Sequence, residues 1–581
     1  MSSSPKVELT FDKYLTYPEL TEYLKSAAAA YPSLASLESA GKSYEGRDIW
    51  ALTITNRVTG SPEHKPALYV DGNIHAGEVT GCMVAVYLID YLLSNYGKDE
   101  EVTHLLDTRT FYVLPRVNPD GAELYLTTPT MLRSSVRPWP DSDEECAEMP
   151  GLHREDVNGD GKILQMRVRD DNKGEWKPSK KDPRLMVPRR PGERKGPFYR
   201  IYPEGTLKDC EGELFELNRG PYGLDLNRNF PSNWDTKIPG GGDFPTGEPE
   251  AKTIVEFILR HPNIGGLQAL HTSGGFAYRN PCQYPDDKMD PDDFRATREI
   301  AKEGTLVNGY PDVKSPNRAT LTEWAYEHRG LIAYTTELWN RYQRAGVDLM
   351  EWHQTTDPDK REEQNLKLLS WNDRELAGKG FIPWTEFDHP QLGKVEIGGW
   401  DTKFCVQNPP PQFLKQECHK NTIWIMRHAA ALPEVHITEV KVEDVDACVK
   451  KVTAVIENWG YLPTYITNKA RLSGVVKKDV AEIIPGEGVT VLGKAKQEVD
   501  FLEGYMNGGR DRPAKSTARV TWMVKVDGAA GDAVADNRGK TTGTATAAAE
   551  AQDKATKSQA FFVKVRFRSQ RGGAAERSMG S

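Results

Sequence analysis

The chain has 581 residues, 38% hydrophobic and 27% charged, and its 75 Lys and Arg against 84 Asp and Glu give a net charge of −9. At roughly 150 residues per domain this length calls for more than one domain. The acidic balance excludes a basic nucleic-acid binder, and the lack of any run of about 20 uncharged apolar residues excludes a membrane-spanning helix.

The segment from Met1 to Phe11 has no apolar core of a secretory leader, and the 7 cysteines are scattered and odd in number, the pattern of reduced thiols. Both features favour the cytoplasm, or a secreted location if a leader was removed or export is leaderless. Over residues 1–433, apolar runs of strand length alternate with longer amphipathic ones, which predicts an α/β domain. Strands are predicted at 48–55, 67–71, 110–116, 265–270 and 331–336. Several are too apolar for a half-exposed edge, so they belong at the centre of a mixed sheet flanked by helices. Helices are predicted at 79–96 and from Glu250, behind Gly247-Glu248-Pro249.

A polar insertion at about 141–215 carries an acidic stretch (141–160) and a basic one (180–200), which reads as a self-complementary surface lobe. A second charged stretch covers 341–375. Over residues 434–581, short β-rich runs at 435–442, 452–458, 489–496, 520–526 and 561–567 predict an all-β sandwich. Within it, 527–557 is low-complexity and reads as a flexible loop, and 572–581 as a frayed tail.

The sharpest local feature is Gly72-Asn73-Ile74-His75-Ala76-Gly77-Glu78, on the turn between a strand and a helix. A His and a carboxylate three apart on such a turn can converge on one cation. His271 ends another strand, and two His with one Glu leave an open coordination position, the arrangement of catalytic zinc. Glu337 ends the apolar strand Leu331-Ile332-Ala333-Tyr334-Thr335-Thr336, where an acid without a task would be costly, and suits a general base. Asn227-Arg228 suits a bidentate grip on a carboxylate, with a structural salt bridge as the alternative for Arg228.

This constellation resembles the zinc metallocarboxypeptidase family, the carboxypeptidase A-like enzymes, over residues 10–433. Gly41 to Ile49 is similar to the family's opening strand, His75-x-x-Glu78 to its first metal pair, and Val117-Asn118-Pro119-Asp120-Gly121 to the turn before an arginine, which falls on Arg133. Asp225-x-Asn227-Arg228 resembles the clamp for a terminal carboxylate, with Asp225 as the acid behind a ligand His. Glu248-Pro249-Glu250, His271 and Glu323-Trp324, the last fourteen residues before Glu337, follow in order. The resemblance implies one Zn²⁺ per chain and a peptide substrate with a free C-terminal carboxylate; the acidic balance and the lack of a long apolar run lead us to expect no nucleic-acid or membrane partner. It implies hydrolysis of the C-terminal peptide bond by a metal-activated water, with Glu337 as base and Arg133 stabilising the oxyanion.

The sequence departs from the family where a mobile substrate-capping Tyr is usual, since that position is Ser315; Tyr310 is the candidate replacement. Thr322 stands in the specificity pocket and implies a neutral or mixed one, which Arg318 or Arg279 could tilt towards acidic ends. In the insertion, Asp156, Asn158 and Asp160 with Gly161 resemble half of a calcium-binding EF-hand loop, but Arg167 occupies the place of the bidentate acid; an Asx-turn without metal is the alternative. Two other functions compete with the peptidase: a zinc-dependent deacylase or amidohydrolase acting on acylated amino acids or cell-wall peptides, and a catalytically silent peptide-binding relative.

Overall fold

The computed structural model describes residues 9–210, 216–527 and 561–580. Eight strands form the central sheet: β1 (Ala35–Lys42), β2 (Asp48–Ile54), β3 (Ala67–Gly72), β4 (Thr110–Leu114), β5 (Ile264–Thr272), β6 (Phe276–Arg279), β7 (Asp312–Lys314) and β8 (Ile332–Leu338). Their spatial order is β1-β2-β4-β3-β5-β8-β6-β7. The four central strands run parallel and β1, β2 and β6 pair antiparallel towards the edges, so the sheet is mixed. The residues resembling an opening strand at 41–49 instead span the end of β1, a turn and the start of β2.

The main helices are α1 (Tyr17–Ala30), α2 (Val79–Asn95), α3 (Pro249–Arg260), α4 (Pro291–Asn308), α5 (Leu321–Arg329) and α6 (Pro411–Ala430). They cover both faces of the sheet, which is why its strands read as continuous apolar runs. Leu68 and Val70 of β3 enter a core shared with α1, α2, α4 and α6, while Ala67 and Tyr69 enter the opposite core with α3 and α5. α2 lies directly on the sheet: a Cβ on Gly81 would stand 2.4 Å from the Leu270 carbonyl oxygen. Glycine there lets the helix start beside β5 and brings Glu78 close to His271.

The polar segment builds a second sheet of six strands. Gln165–Arg169, Trp176–Pro178, Met186–Pro188 and Tyr199–Pro203 are joined by Phe381–His389 and Gly393–Trp400, a hairpin from well beyond the insertion. Charges within it pair with one another, as Arg167 with Glu396 at 2.9 Å and Arg200 with Asp170 at 3.2 Å. The charged stretch at 341–375 is mostly helical, ending in Pro358–Leu376.

The sandwich has two four-stranded sheets. One contains Val435–Asp444, Val449–Asn458, Thr517–Val526 and Val489–Leu492; the other contains Lys496–Val499, Asp479–Pro485, Phe562–Ser569 and Gly573–Gly580. The expected single run at 489–496 is therefore split between sheets. Residues 573–580 are not a frayed tail but a strand in register with Phe562–Ser569, and Arg577 Nη1 donates to the Ile437 carbonyl of the facing sheet at 3.1 Å. Its Gly-Ala-Ala start lacks the β-branched signature that marks the other strands. Apart from Asp527, the low-complexity stretch 527–557 lies outside the described residues. None of the seven cysteines forms a disulfide.

Candidate active site

β3, β5 and β8 are parallel neighbours, and each delivers a side chain at its carboxyl end, where a sheet covered on both faces opens its crevice. The turn after β3 is pinned from several sides. Asn73, with a left-handed φ of 63°, donates from Nδ2 to the carbonyls of His75 at 2.7 Å and Ala76 at 3.1 Å. Asn118 caps the helix Pro119–Thr127 and donates to the carbonyls of Ile74 at 3.2 Å and Ser134 at 2.8 Å. Asn408 reaches in from behind the π-helical turn Thr402–Gln407: Nδ2 donates to the Gly77 carbonyl at 2.7 Å, and Oδ1 accepts from Thr80 N at 3.1 Å. Sequence reasoning missed Asn408, because an Asn ahead of Pro409-Pro410-Pro411 reads only as a turn.

His75 Nδ1 lies 3.1 Å from His271 Nδ1, and Glu78 closes the triangle with Oε1 at 2.9 Å from the first and Oε2 at 2.9 Å from the second. All three side chains are buried, and among the described residues this is the only group of three potential ligands within 4.8 Å of one another. Two imidazole nitrogens and one carboxylate, converging with a side left open, fit a catalytic zinc ion. Asp225 Oδ1 stands 2.9 Å from His75 Nε2, which fixes the nitrogen that His75 turns towards Glu78. Burial opposes ionisation of Glu78, yet the two imidazoles hold its carboxyl well below the usual range. Asp225 is likewise held low against burial by His75, Arg133 and Arg228.

Glu337 pairs in register with His271 on the adjacent strand, and its carboxylate accepts no hydrogen bond from a described residue. Burial, then the Glu78 charge, push its pKa up, against His75, Arg133 and Arg228. A perturbed acid without a hydrogen-bond partner beside three converging candidate ligands suits proton transfer. Arg133 stands at the rim, half exposed, with Nη1 3.0 Å from Glu78 Oε1 and Nη2 3.2 Å from Asp225 Oδ2. Arg228 Nη1 donates to the Asn227 carbonyl at 2.9 Å and Nη2 to Asn317 Oδ1 at 3.0 Å. It makes no ion pair among the described residues, so the salt-bridge alternative does not hold. Asn227 Oδ1 accepts from Leu321 N at 2.9 Å and ties this turn to the start of α5.

Three expectations are corrected. Tyr310 is buried in the core, its hydroxyl bonded to Glu417 and to Trp339 N, so it is not available to cap a substrate. Arg279 is held by Asp286 and Asp312 at 2.7 and 2.6 Å, and Arg318 by Asp235 at 2.8 Å, so neither offers a free charge to the pocket. The Asp156 loop takes the alternative form, an Asx-turn: Asp156 accepts from Gly159 N, Asp160 N and Gly161 N at 2.8–3.1 Å, and calcium there is not supported. Thr322 is buried, its hydroxyl 3.1 Å from that of Thr335 on β8. Glu323, raised to about 7 by burial, accepts from Asn233 Nδ2 and Ala319 N and is occupied in holding that loop.

Residues 20–351, more than half of the chain, match the family described as zinc carboxypeptidase. The chain belongs to the zinc carboxypeptidase family. Residues 434–550 match a domain of unknown function, DUF8731. Carboxypeptidase M of Mus musculus is 44% identical over 106 residues, which cover 17% of this chain and 23% of that one. Human carboxypeptidase D is 32% identical over 123 residues, 21% of this chain and 9% of that one. The matched segments thus span less than a quarter of these two relatives. Among solved structures, thrombin activatable fibrinolysis inhibitor aligns over 74% of this chain and 76% of its own at 16% identity and a TM-score of 0.42. Carboxypeptidase A from Helicoverpa armigera aligns over 65% and 77% at 18% identity and a TM-score of 0.40.

Proposed function

We propose that the chain is an active zinc-dependent exopeptidase that hydrolyses the C-terminal bond of peptides, with one zinc held by His75, Glu78 and His271. The observation that carries this reading is Arg228: a guanidinium without an acidic partner on the crevice that also holds Glu337 and the three converging ligands. Bound zinc supplies Lewis-acid activation of a water and a carbonyl. Glu337 takes the proton of the attacking water and returns it to the leaving amine. Arg133 faces the charge that develops on the carbonyl oxygen. Arg228, with Asn227 beside it, holds the free carboxylate and thereby limits attack to the last peptide bond.

The test compares peptide acids with their C-terminal amides, with and without a chelator. A charge-assisted contact is worth about 1.5–3 kcal/mol, so amides should react roughly ten- to a hundredfold more slowly. Chelation should abolish both rates. Equal rates on acid and amide would overturn the exopeptidase reading.

A further inference from the structure

β6 lies antiparallel on β8 with Phe276 opposite Glu337 and Tyr278 opposite Thr335. Directly opposed residues share a face of the sheet, so Tyr278, Thr335, Phe276 and Glu337 all stand on the side covered by α5. Thr335 meets Thr322 of α5 there, hydroxyl to hydroxyl at 3.1 Å. Tyr278 is half-buried, and its hydroxyl bonds to no described residue. Its ring packs edge-on against Phe276 with centroids 4.7 Å apart, which keeps it from swinging away. Burial raises the phenol's pKa first, the Glu337 charge adds to this and Arg228 opposes it, as expected of a group standing between base and clamp.

Three charged side chains near this space are spent elsewhere. Arg279 lies on the opposite face with Asp286 and Asp312. Arg318 pairs with Asp235, and Glu323 turns to Asn233 and Ala319 N. Asn280 Nδ2 donates to the Thr322 carbonyl at 3.0 Å and fixes the first turn of α5. On the side of the sheet that carries Glu337, Tyr278, Thr335 and, from α5, Thr322 contribute three hydroxyls, and Phe276 contributes a phenyl ring.

We propose that Tyr278 forms the wall of the pocket for the substrate's terminal side chain, and that this pocket takes a small uncharged polar residue: serine, threonine or asparagine. The proposal rests on the exopeptidase reading. A charged side chain would lose its water without gaining a counter-ion, and a large apolar one would both collide with the phenol and strand the hydroxyls. Thr322 Oγ1 also lies 3.5 Å from Thr320 Oγ1, so three hydroxyl protons serve two contacts and one donor is left for the substrate. The missing capping tyrosine at Ser315 is then not replaced from the same loop; a tyrosine from the sheet supplies the aromatic surface.

The test is a library of peptide acids that differ only in the last residue, run on the zinc-loaded full chain. Native kcat/KM should favour Ser, Thr and Asn over Phe, Lys, Arg and Glu by tenfold or more. Tyr278→Ala should enlarge the pocket and raise the Phe-to-Ser ratio at least tenfold, mainly through KM. Tyr278→Phe, which keeps the ring and so the packing, should keep the size limit but lose several-fold of the preference for Ser over Ala. A native preference for charged or aromatic ends, or a Phe-to-Ser ratio unmoved by Tyr278→Ala, would overturn the proposal while leaving the exopeptidase reading intact. Failure to cleave any peptide acid would overturn both.

Discussion

Asn408 pins the turn that carries His75 and Glu78 from 331 residues beyond Gly77, and Asn408→Ala isolates its contribution. The side chain is fully buried; it donates to the carbonyls of Gly77 at 2.7 Å and Lys403 at 3.0 Å and accepts from Thr80 N at 3.1 Å and Thr80 Oγ1 at 2.8 Å. Thr80 N is one of the first amides of α2, which has no partner within the helix, and Glu78 at the N-cap provides no side-chain cap. Removal therefore leaves at least a buried N–H and a buried C=O unpaired, at about 1–3 kcal/mol each. Taking about 3 kcal/mol in total and confining it to the turn that carries His75 and Glu78, zinc affinity should fall roughly a hundredfold, near the upper end of what outer contacts to a metal site usually contribute. The assay is competition for zinc against a chromogenic chelator, followed by urea unfolding of the zinc-loaded protein. Zinc affinity within twofold of native, with an unchanged unfolding midpoint, would refute this account of the turn.

Glu337→Gln should retain one zinc per chain and lose about 10²–10⁴-fold in kcat, whereas His271→Ala should lose the zinc itself; metal analysis after dialysis, paired with kinetics, separates the two. Asp479, buried in the sandwich and bonded to Thr464 Oγ1 at 2.8 Å, is pushed up to about 7 by burial. Since this lies above its unfolded value of about 3.9, its contribution to stability is fully present below about pH 4 and is lost as the pH rises through about 7. Asp479→Asn should therefore raise stability at pH 8 by on the order of 2–4 kcal/mol and have little effect at pH 4, and equal shifts in thermal melts at both pH values would assign the effect to packing. Arg571→Ala should destabilise the protein by about 1–3 kcal/mol, because it leaves the Arg329 carbonyl at the end of α5 without its donor while Gly330 keeps Thr467; an unchanged melting temperature would show that the Arg329 carbonyl finds another partner.

The α/β core was legible in the sequence because a strand buried on both faces has no polar positions to hide it, as 67–71 and 265–270 show. The candidate site was legible for a related reason: His75, Glu78, His271 and Glu337 are polar residues at or just beyond the ends of such strands, where an apolar run makes an acid or imidazole conspicuous. The strand Gly573–Gly580 was not legible, since its stability comes from pairing with Phe562–Ser569 and not from its own residues. Nor was the burial of Tyr310, which depends on Glu417 of α6, more than a hundred residues away. Tyr278 could have been found by counting: it is seven residues past His271, in an alternating run that returns along the sheet beside Glu337. Asn408 could not, because nothing near it in the chain announces that it will cap α2.

The helix that supplies the pocket is gripped at both ends, and the two grips come from different parts of the chain. At its start, Asn227 accepts from Leu321 N, so the turn carrying Asn227 and Arg228 and the first turn carrying Thr322 move together. At its end, Thr467 Oγ1 donates to the Gly330 carbonyl at 2.7 Å, and the fully buried Arg571, from the turn joining the last two strands of the sandwich, donates to the Arg329 carbonyl at 2.8 Å. A cation at a helix C-terminus meets the negative end of the helix dipole, and here it lies in the dry interface where that interaction is least screened. The neighbouring helix α4 is held in the same way, with Asp293 accepting from Asn468 N at 2.6 Å and Lys469 N at 3.0 Å. Among the described residues the sandwich places no candidate metal ligand or base in the crevice, yet the helix that carries Thr322 ends in its grip. Cutting the chain near residue 433 would therefore open the carbonyl end of α5 while leaving every residue of the crevice in place.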